Sequence, residues 1–249
     1  MAYWALKILL TPLLRVLYRV RTEGTHRVPR RGPVILASNH HSFIDSVFLP
    51  LVVRRRVTFV AKAEYFESWK TAWFFRAVGM IPLKRDGGPA SQRALLAARE
   101  VLEQGGALGI YPEGTRSPDG KLYRGHTGVA RLAMQTGAAV VPVAQFGTAD
   151  VQPIGSKSIK LFRRVSIKMG EPMRWPGADM SGNGSETDNT SLRSFTDDLM
   201  EAISALSGQE RVAHYAKRDR GRLAAPGSEA EPIPPDAPDQ PVGAGPAFS

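Results

Sequence analysis

A chain of 249 residues is long enough for one sizeable core with appendages, and this one shows no internal repeat. It has no cysteine, which excludes a disulfide framework, a thiolate nucleophile and a cysteine-based metal site. The net charge of +10 belongs to the front: residues 1–174 hold 27 Lys and Arg against 11 Asp and Glu, and residues 175–249 hold 6 against 12. An anionic partner of that front part follows, whether a phosphate substrate, an acidic membrane surface or nucleic acid.

Residues 1–20 are apolar apart from Lys7, Thr11, Arg15 and Arg19. These four recur at every fourth position, so on a helix they make one narrow polar stripe beside a wide apolar face. That pattern suits a helix lying in the membrane interface. A spanning helix would put Lys7 and Arg15 deep in hydrocarbon, and no small-residue cleavage site follows to make the segment a signal. Packing on the protein's own core is the other use of the same face. Pro12 is expected to kink this helix, and residues 21–33, with Gly24, Pro29, Gly32 and Pro33, read as a connector.

An apolar run at 34–38 predicts a strand, and it opens onto Asn-His-His-Ser-Phe-Ile-Asp at 39–45. Residues five apart on a helix lie about 140° apart, so His40 and Asp45 meet only if the His precedes the helix. Ser42 as N-cap would supply that arrangement, with Asp45 in the first turn. An Asp placed there holds one imidazole nitrogen and leaves the other free to take a proton. The same Ser-x-x-Asp spacing is also a capping box, in which Asp45 only caps the backbone. Spacing alone does not separate His40 from His41.

Further along, Arg54, Arg55 and Arg56 read as a solvated turn, and 57–61 as a short strand ending at Lys62. Residues 67–78 form a helix-length segment with Trp69, Trp73, Phe74 and Phe75, suited to core packing or to an acyl-chain or membrane contact. A strand at 81–83 leads to Lys84 and Arg85, and a helix at 90–104 stops at Gly105 and Gly106. A buried strand at 107–111 opens onto Pro112, Glu113, Gly114, Thr115 and Arg116. A helix running through Gln135 is capped by Gly137, and a strand follows at 138–145, where Pro142 implies an edge or an irregularity. A basic β-like segment spans 160–169, a Gly- and Ser-rich linker 176–190, and an amphipathic helix 191–206. From Leu223 onward seven prolines and almost no large apolar group predict disorder.

Strands alternating with helices through 34–145 predict an α/β fold, a largely parallel mixed sheet flanked by helices. Parallel strands bring their exits to one edge, so His40, Lys62, Arg85, Glu113 and Arg116 should converge where open α/β sheets bind ligands. No acidic cluster suggests a metal.

The stretch at 39–45 fits the Asn-His-x-Ser-x-x-Asp signature of the glycerolipid acyltransferases. Residues 111–116 fit that family's Phe-Pro-Glu-Gly-Thr-Arg motif, with Tyr111 in place of Phe. The glycine, strand and Arg85 at 79–85 match a second motif, and Val141-Pro142-Val143 a fourth. Over residues 31–175 the chain therefore resembles the bacterial 1-acyl-glycerol-3-phosphate acyltransferases. The resemblance implies transfer of an acyl group from acyl-coenzyme A or acyl carrier protein to lysophosphatidic acid, giving phosphatidic acid. It makes His40 the base oriented by Asp45, and it assigns the substrate phosphate to Lys62, Arg85 and Arg116, whose guanidinium forks and ammonium suit phosphate oxygens. Glu113, Gly114 and Thr115 would bind substrate or shape the site, with backbone N–H groups near Gly114 as oxyanion donors, while Asn39 and Ser42 shape the turn. No cofactor and no metal are implied.

The expected organisation is an amphipathic membrane-associated helix and connector at 1–30, the catalytic domain at 31–175, a linker and helix at 176–222, and the tail at 223–249. The implied location is the cytoplasmic face of the membrane, peripheral or monotopic. Another lysolipid or glycerol 3-phosphate is the alternative acceptor. The competing class is a basic lipid- or nucleic-acid-binding protein without chemistry; against nucleic acid, no usual binding module is visible.

Overall fold

The computed structural model describes residues 2–61, 66, 72, 75, 79–82, 90–156, 158–176 and 189–216. The chain divides into a unit spanning Met1–Lys217 and a C-terminal unit, Arg218–Ser249, that lies outside the described residues, as does the tail expected from 223. Most of the aromatic segment at 67–78 and of the linker at 176–190 lies outside them too.

Seven strands are present among the described residues: β1 (Arg21–Glu23), β2 (Val34–Ser38), β3 (Val57–Ala61), β4 (Met80–Pro82), β5 (Ala107–Ile110), β6 (Ala139–Phe146) and β7 (Ser166–Met169). They form one sheet in the order β1-β7-β6-β2-β5-β3-β4. Every pairing is parallel except β6 with β7. The helices are α1 (Ala2–Leu17), α2 (Asp45–Val52), α3 (Ala90–Glu103), α4 (Gly128–Thr136), α5 (Thr148–Val151) and α6 (Asn189–Ser207).

The central strand β2 is buried at all five positions. Its residues alternate between two cores, as a period of two requires. Val34 and Leu36 face a cluster with Phe48, Leu49 and Val52 of α2, against which Leu6, Leu14 and Leu17 of α1 pack. Ile35 and Ala37 face the other, built from Leu102 of α3, Leu132 of α4 and Leu199 and Ile203 of α6. Helices thus cover both faces, which is why β2 reads as an unbroken apolar run. The mixed α/β expectation holds.

Two local readings change, and at Pro142 the irregularity holds of the two alternatives. The connector at 21–33 contains β1 and a 3-10 turn at Thr25–Arg27. All three β1 residues are exposed, so the strand rests on backbone pairing with β7 and leaves no hydrophobic pattern to read. The basic segment at 160–169 is a strand only from Ser166; before that it is loop. Pro142 lies inside the sheet rather than at its edge. Val140 exchanges backbone hydrogen bonds with Met173 and the regular β7 ladder begins at Val143, so Pro142 lies in the gap between them, where no N–H is required.

The polar stripe of α1 does not simply face water. Lys7 turns inward and donates to the carbonyls of Val53 and Arg55, at the end of α2. Burial, reinforced by the charge of Arg15, holds its ammonium down at about 8. The outward side carries Trp4, Ile8, Leu9, Leu13 and Val16, all exposed. No helix among the described residues is long and apolar enough to cross a membrane.

On β5, Gly109 pairs with Phe59 of β3, and a Cβ on Gly109 would lie 2.3 Å from the Phe59 ring. The missing side chain makes room for a column of rings. Phe59 stacks on Tyr111 with centroids 5.6 Å apart, and Tyr111 stacks on His40 at 3.7 Å. Gly109→Ala should therefore overpack this core, at a cost of about 1–3 kcal/mol in urea unfolding. Combining it with Phe59→Leu should restore part of that loss.

Candidate active site

β2, β5 and β6 run parallel, so their C-terminal ends meet at one sheet edge, and the candidate site is built from the three turns that follow them. After β2 the chain does not enter the helix at Ser42. α2 begins at Asp45 with Ile44 at the capping position and no side-chain cap, which corrects the N-cap expectation. The Ser42 hydroxyl instead donates to the Gln152 carbonyl at 2.7 Å, tying the turn to the end of α5.

The carboxylate of Asp45, fully buried, reaches back over the turn. Its Oδ2 accepts from His40 Nδ1, from the backbone N–H of His41 and from that of Ser42, each at 2.8 Å. Capping and orienting were alternatives in the sequence; one oxygen does both. With Nδ1–H donated to Asp45, Nε2 of His40 keeps its lone pair and makes no hydrogen bond among the described residues. The imidazole is 16% exposed, enough for a substrate hydroxyl to reach it. The neighbouring His41 has no carboxylate partner among the described residues; its Nε2 faces Asn39 Nδ2 at 3.0 Å.

Asn39 is buried and fastens this turn to β6. Its Oδ1 accepts from Gln145 N at 2.8 Å, and its Nδ2 approaches the Gln145 carbonyl at 3.2 Å. The same Nδ2 donates to Gln209 Oε1 at 2.7 Å, while Gln209 Nε2 donates to the Gly120 carbonyl at 2.6 Å. Residues just beyond α6 therefore reach the His turn.

The turn after β5 interlocks with it. Ser117 N–H donates to the His40 carbonyl at 2.8 Å. Glu113, also buried, accepts from His40 N at 3.3 Å and from Tyr123 N at 3.0 Å. Burial pushes its carboxyl up to about 7; the Tyr123 and His40 N–H groups oppose that rise, and the charges of Asp45 and Asp119 add to it. Gly114 takes φ +69 and donates its N–H to the Tyr111 carbonyl at 3.0 Å, so that N–H is already committed to the turn. Thr115 and Arg116 are half-buried, and Arg116 forms no ion pair among the described residues. Lys62 and Arg85 lie outside the described residues; β3 and β4, which precede them, end at the same sheet edge.

Sequence reasoning missed the partners that hold these groups. Tyr111 stacks on the His40 ring within 7° of parallel, and its hydroxyl pairs with Ser46 Oγ at 2.8 Å. Burial, then the charge of Asp45, holds that phenol protonated well above its ordinary range. The replacement of Phe by Tyr at this position was the available signal. Nothing local marks Gln145, Gln152 or Gln209, which arrive from 106 to 170 residues away.

The acyltransferase family model matches residues 19–145. A chloroplastic 1-acyl-sn-glycerol-3-phosphate acyltransferase of Arabidopsis thaliana is 32% identical over 167 residues, covering 67% of this chain and 47% of that protein. A 1-acyl-sn-glycerol-3-phosphate acyltransferase of Bacillus subtilis is 26% identical over 159 residues, 62% of this chain and 73% of that one. The chain spans about half the length of the plant relatives it matches. The crystal structure of the 1-acyl-sn-glycerophosphate acyltransferase of Thermotoga maritima superposes with a TM-score of 0.59 at 29% identity, covering 75% of this chain and 71% of that chain.

The raised Glu113 carboxyl has a stability consequence of defined sign. Its folded value of about 7 lies above the ordinary 4.5, so the folded state holds the proton more tightly. Its contribution to stability is complete below about 4.5 and is lost as pH rises through about 7. Relative to Glu113→Gln, the parent chain should lose roughly 3 kcal/mol across that window, read from urea unfolding at a series of pH values.

Proposed function

The chain belongs to the acyltransferase family, and on that premise we propose that it moves a fatty acyl group from an acyl thioester to the free sn-2 hydroxyl of 1-acyl-glycerol-3-phosphate, forming phosphatidic acid. The observation that carries this reading is the His40–Asp45 pair, 2.8 Å apart, at the edge where the strand exits meet. Nε2 of His40 takes the proton of the acceptor hydroxyl as its oxygen attacks the thioester carbonyl. The tetrahedral intermediate collapses, the carbon–sulfur bond breaks, and the imidazolium returns the proton to the departing thiolate. No step uses a serine or cysteine nucleophile, so the acyl group passes directly to the acceptor.

Asp45 fixes the tautomer and direction of the ring, and the stacked Tyr111 fixes its plane. Arg116 supplies a guanidinium for the substrate phosphate, and Lys62 and Arg85, which lie outside the described residues, are assigned the same role from the sequence motifs alone. Glu113 shapes the turn through its bond to His40 N. Since Gly114 N–H is used within the turn, the N–H groups of Thr115 and Arg116 are the donors left to meet the oxyanion. The donor is acyl-coenzyme A or acyl carrier protein. The outward apolar side of α1 supports a peripheral or monotopic seat on the cytoplasmic face of the membrane, where thioesters and lysolipid meet.

Thiol release from acyl-coenzyme A with 1-acyl-glycerol-3-phosphate, and formation of phosphatidic acid, test the proposal. His40→Ala should lower kcat by about 10²–10⁴-fold while the chain stays folded. Asp45→Asn should lower it in the same direction, and His41→Ala should leave most activity. A preference for glycerol 3-phosphate or another lysolipid would move the acceptor within the reaction class. DNA retention without turnover on any thioester would instead favour a binding protein. In the same assay Tyr111→Phe should retain activity because the ring stack survives, whereas Tyr111→Ala should lose about tenfold or more through a misplaced base.

A further inference from the structure

We propose that the loop at 158–164 is a second membrane contact, entering an anionic bilayer beside α1 and holding the His40 turn at headgroup depth. The proposal rests on the reading of this chain as an enzyme of membrane-embedded lipid. Ile159 and Leu161 are each 52% exposed and Phe162 is 72% exposed. Lys160, Arg163 and Arg164 between and beside them are exposed too. From Val151 to Gly170 the sequence holds five cations and no carboxylate. Apolar side chains left together in water are unusual on a monomer surface. Alternated with cations, they match the boundary of an anionic bilayer, where apolar groups enter the acyl region and cations meet phosphates. Phe162 also takes φ +60, a conformation costly for a bulky residue, within this exposed apolar stretch.

The anchoring of the loop gives the contact its purpose. At one end Lys160 N donates to the Val151 carbonyl at 2.8 Å, and the next residue, Gln152, accepts from Ser42 Oγ at 2.7 Å. At the other end Val165 N donates to the Tyr18 carbonyl at 3.1 Å, just past α1. The loop thus connects the end of α1 to the turn that carries His40. An acidic protein would satisfy the three cations and leave the three apolar side chains without a partner; a lipid surface accounts for both sets.

The test uses the full chain and vesicles of phosphatidylcholine with or without phosphatidylglycerol, read by co-sedimentation. Leu161→Ser with Phe162→Ser should weaken binding to both vesicle types by about tenfold or more. Arg163→Gln with Arg164→Gln should remove about tenfold of binding from the anionic vesicles and little from the neutral ones. Thiol release with detergent-dispersed acceptor should be unchanged in both, and release with vesicle-embedded acceptor should fall in step with binding. If the serine pair lowers the melting temperature, Phe162→Trp decides: added emission that shifts blue and is quenched by brominated lipid supports insertion, and none overturns it. Unchanged vesicle binding by the serine pair, or a loss confined to capture of acyl carrier protein, overturns the proposal. A parent chain that binds vesicles through this loop yet releases no thiol would sink the acyltransferase reading and leave the loop standing.

Discussion

One buried oxygen governs the site. Oδ2 of Asp45 receives three hydrogen bonds from within five residues, and these decide where α2 starts, how the chain leaves β2 and which nitrogen of His40 is free. A fully buried carboxylate is tolerable only when its charge is met by donors. Charge-assisted bonds of this length are the strong kind, and three on one atom leave the turn little freedom. The other oxygen, Oδ1, has no hydrogen-bond partner among the described residues, which concentrates the constraint further on Oδ2.

Around that oxygen the turns after β2, β5 and β6 are cross-tied. Ser117 holds the His40 carbonyl, Glu113 holds its N–H, Gln145 holds Asn39, and the Gln152 carbonyl holds Ser42. The ring column of Phe59, Tyr111 and His40 ties the same point to the sheet beneath. Loops usually move more than the elements they join. Here the bonds run between loops whose strands are already fixed side by side, so the imidazole inherits the rigidity of the sheet. Such placement is what a positioned base requires, since small displacements of a reacting group are expensive in rate.

The surface follows a second constraint. α1 packs Leu6, Leu14 and Leu17 against the core and lends Lys7 to the carbonyl of Val53, the C-cap of α2, and to that of Arg55 just beyond it, a cation placed where the helix dipole favours one. With Lys7 turned inward, the helix leaves Trp4, Ile8, Leu9, Leu13 and Val16 outward beside the exposed Arg15. An apolar outer face with basic groups nearby is costly in water and favourable at a lipid boundary, consistent with the lipid acceptor proposed for the site.

The sequence by itself determined the elements whose burial imposes a pattern. β2 and β3 were legible to the residue because strands covered on both faces must be apolar runs ending in polar turns. α3 and α4 were legible from their glycine stops and α6 from its amphipathic spacing. The His-Asp motif and the Pro-Glu-Gly-Thr-Arg stretch were visible because their residues are close in sequence. β1 was not, since exposed residues paired only through backbone carry no hydrophobic signature. Nor was the true start of α2, which turned on Ser42 finding a carbonyl 110 residues away. Only the tertiary structure decided that Asp45 caps and orients with one oxygen, that Gly114 has spent its N–H, and that Gln145 and Gln209 hold Asn39. Spacing along a chain constrains neighbours on one element, whereas a hydrogen bond between distant turns exists only once the sheet has brought them together.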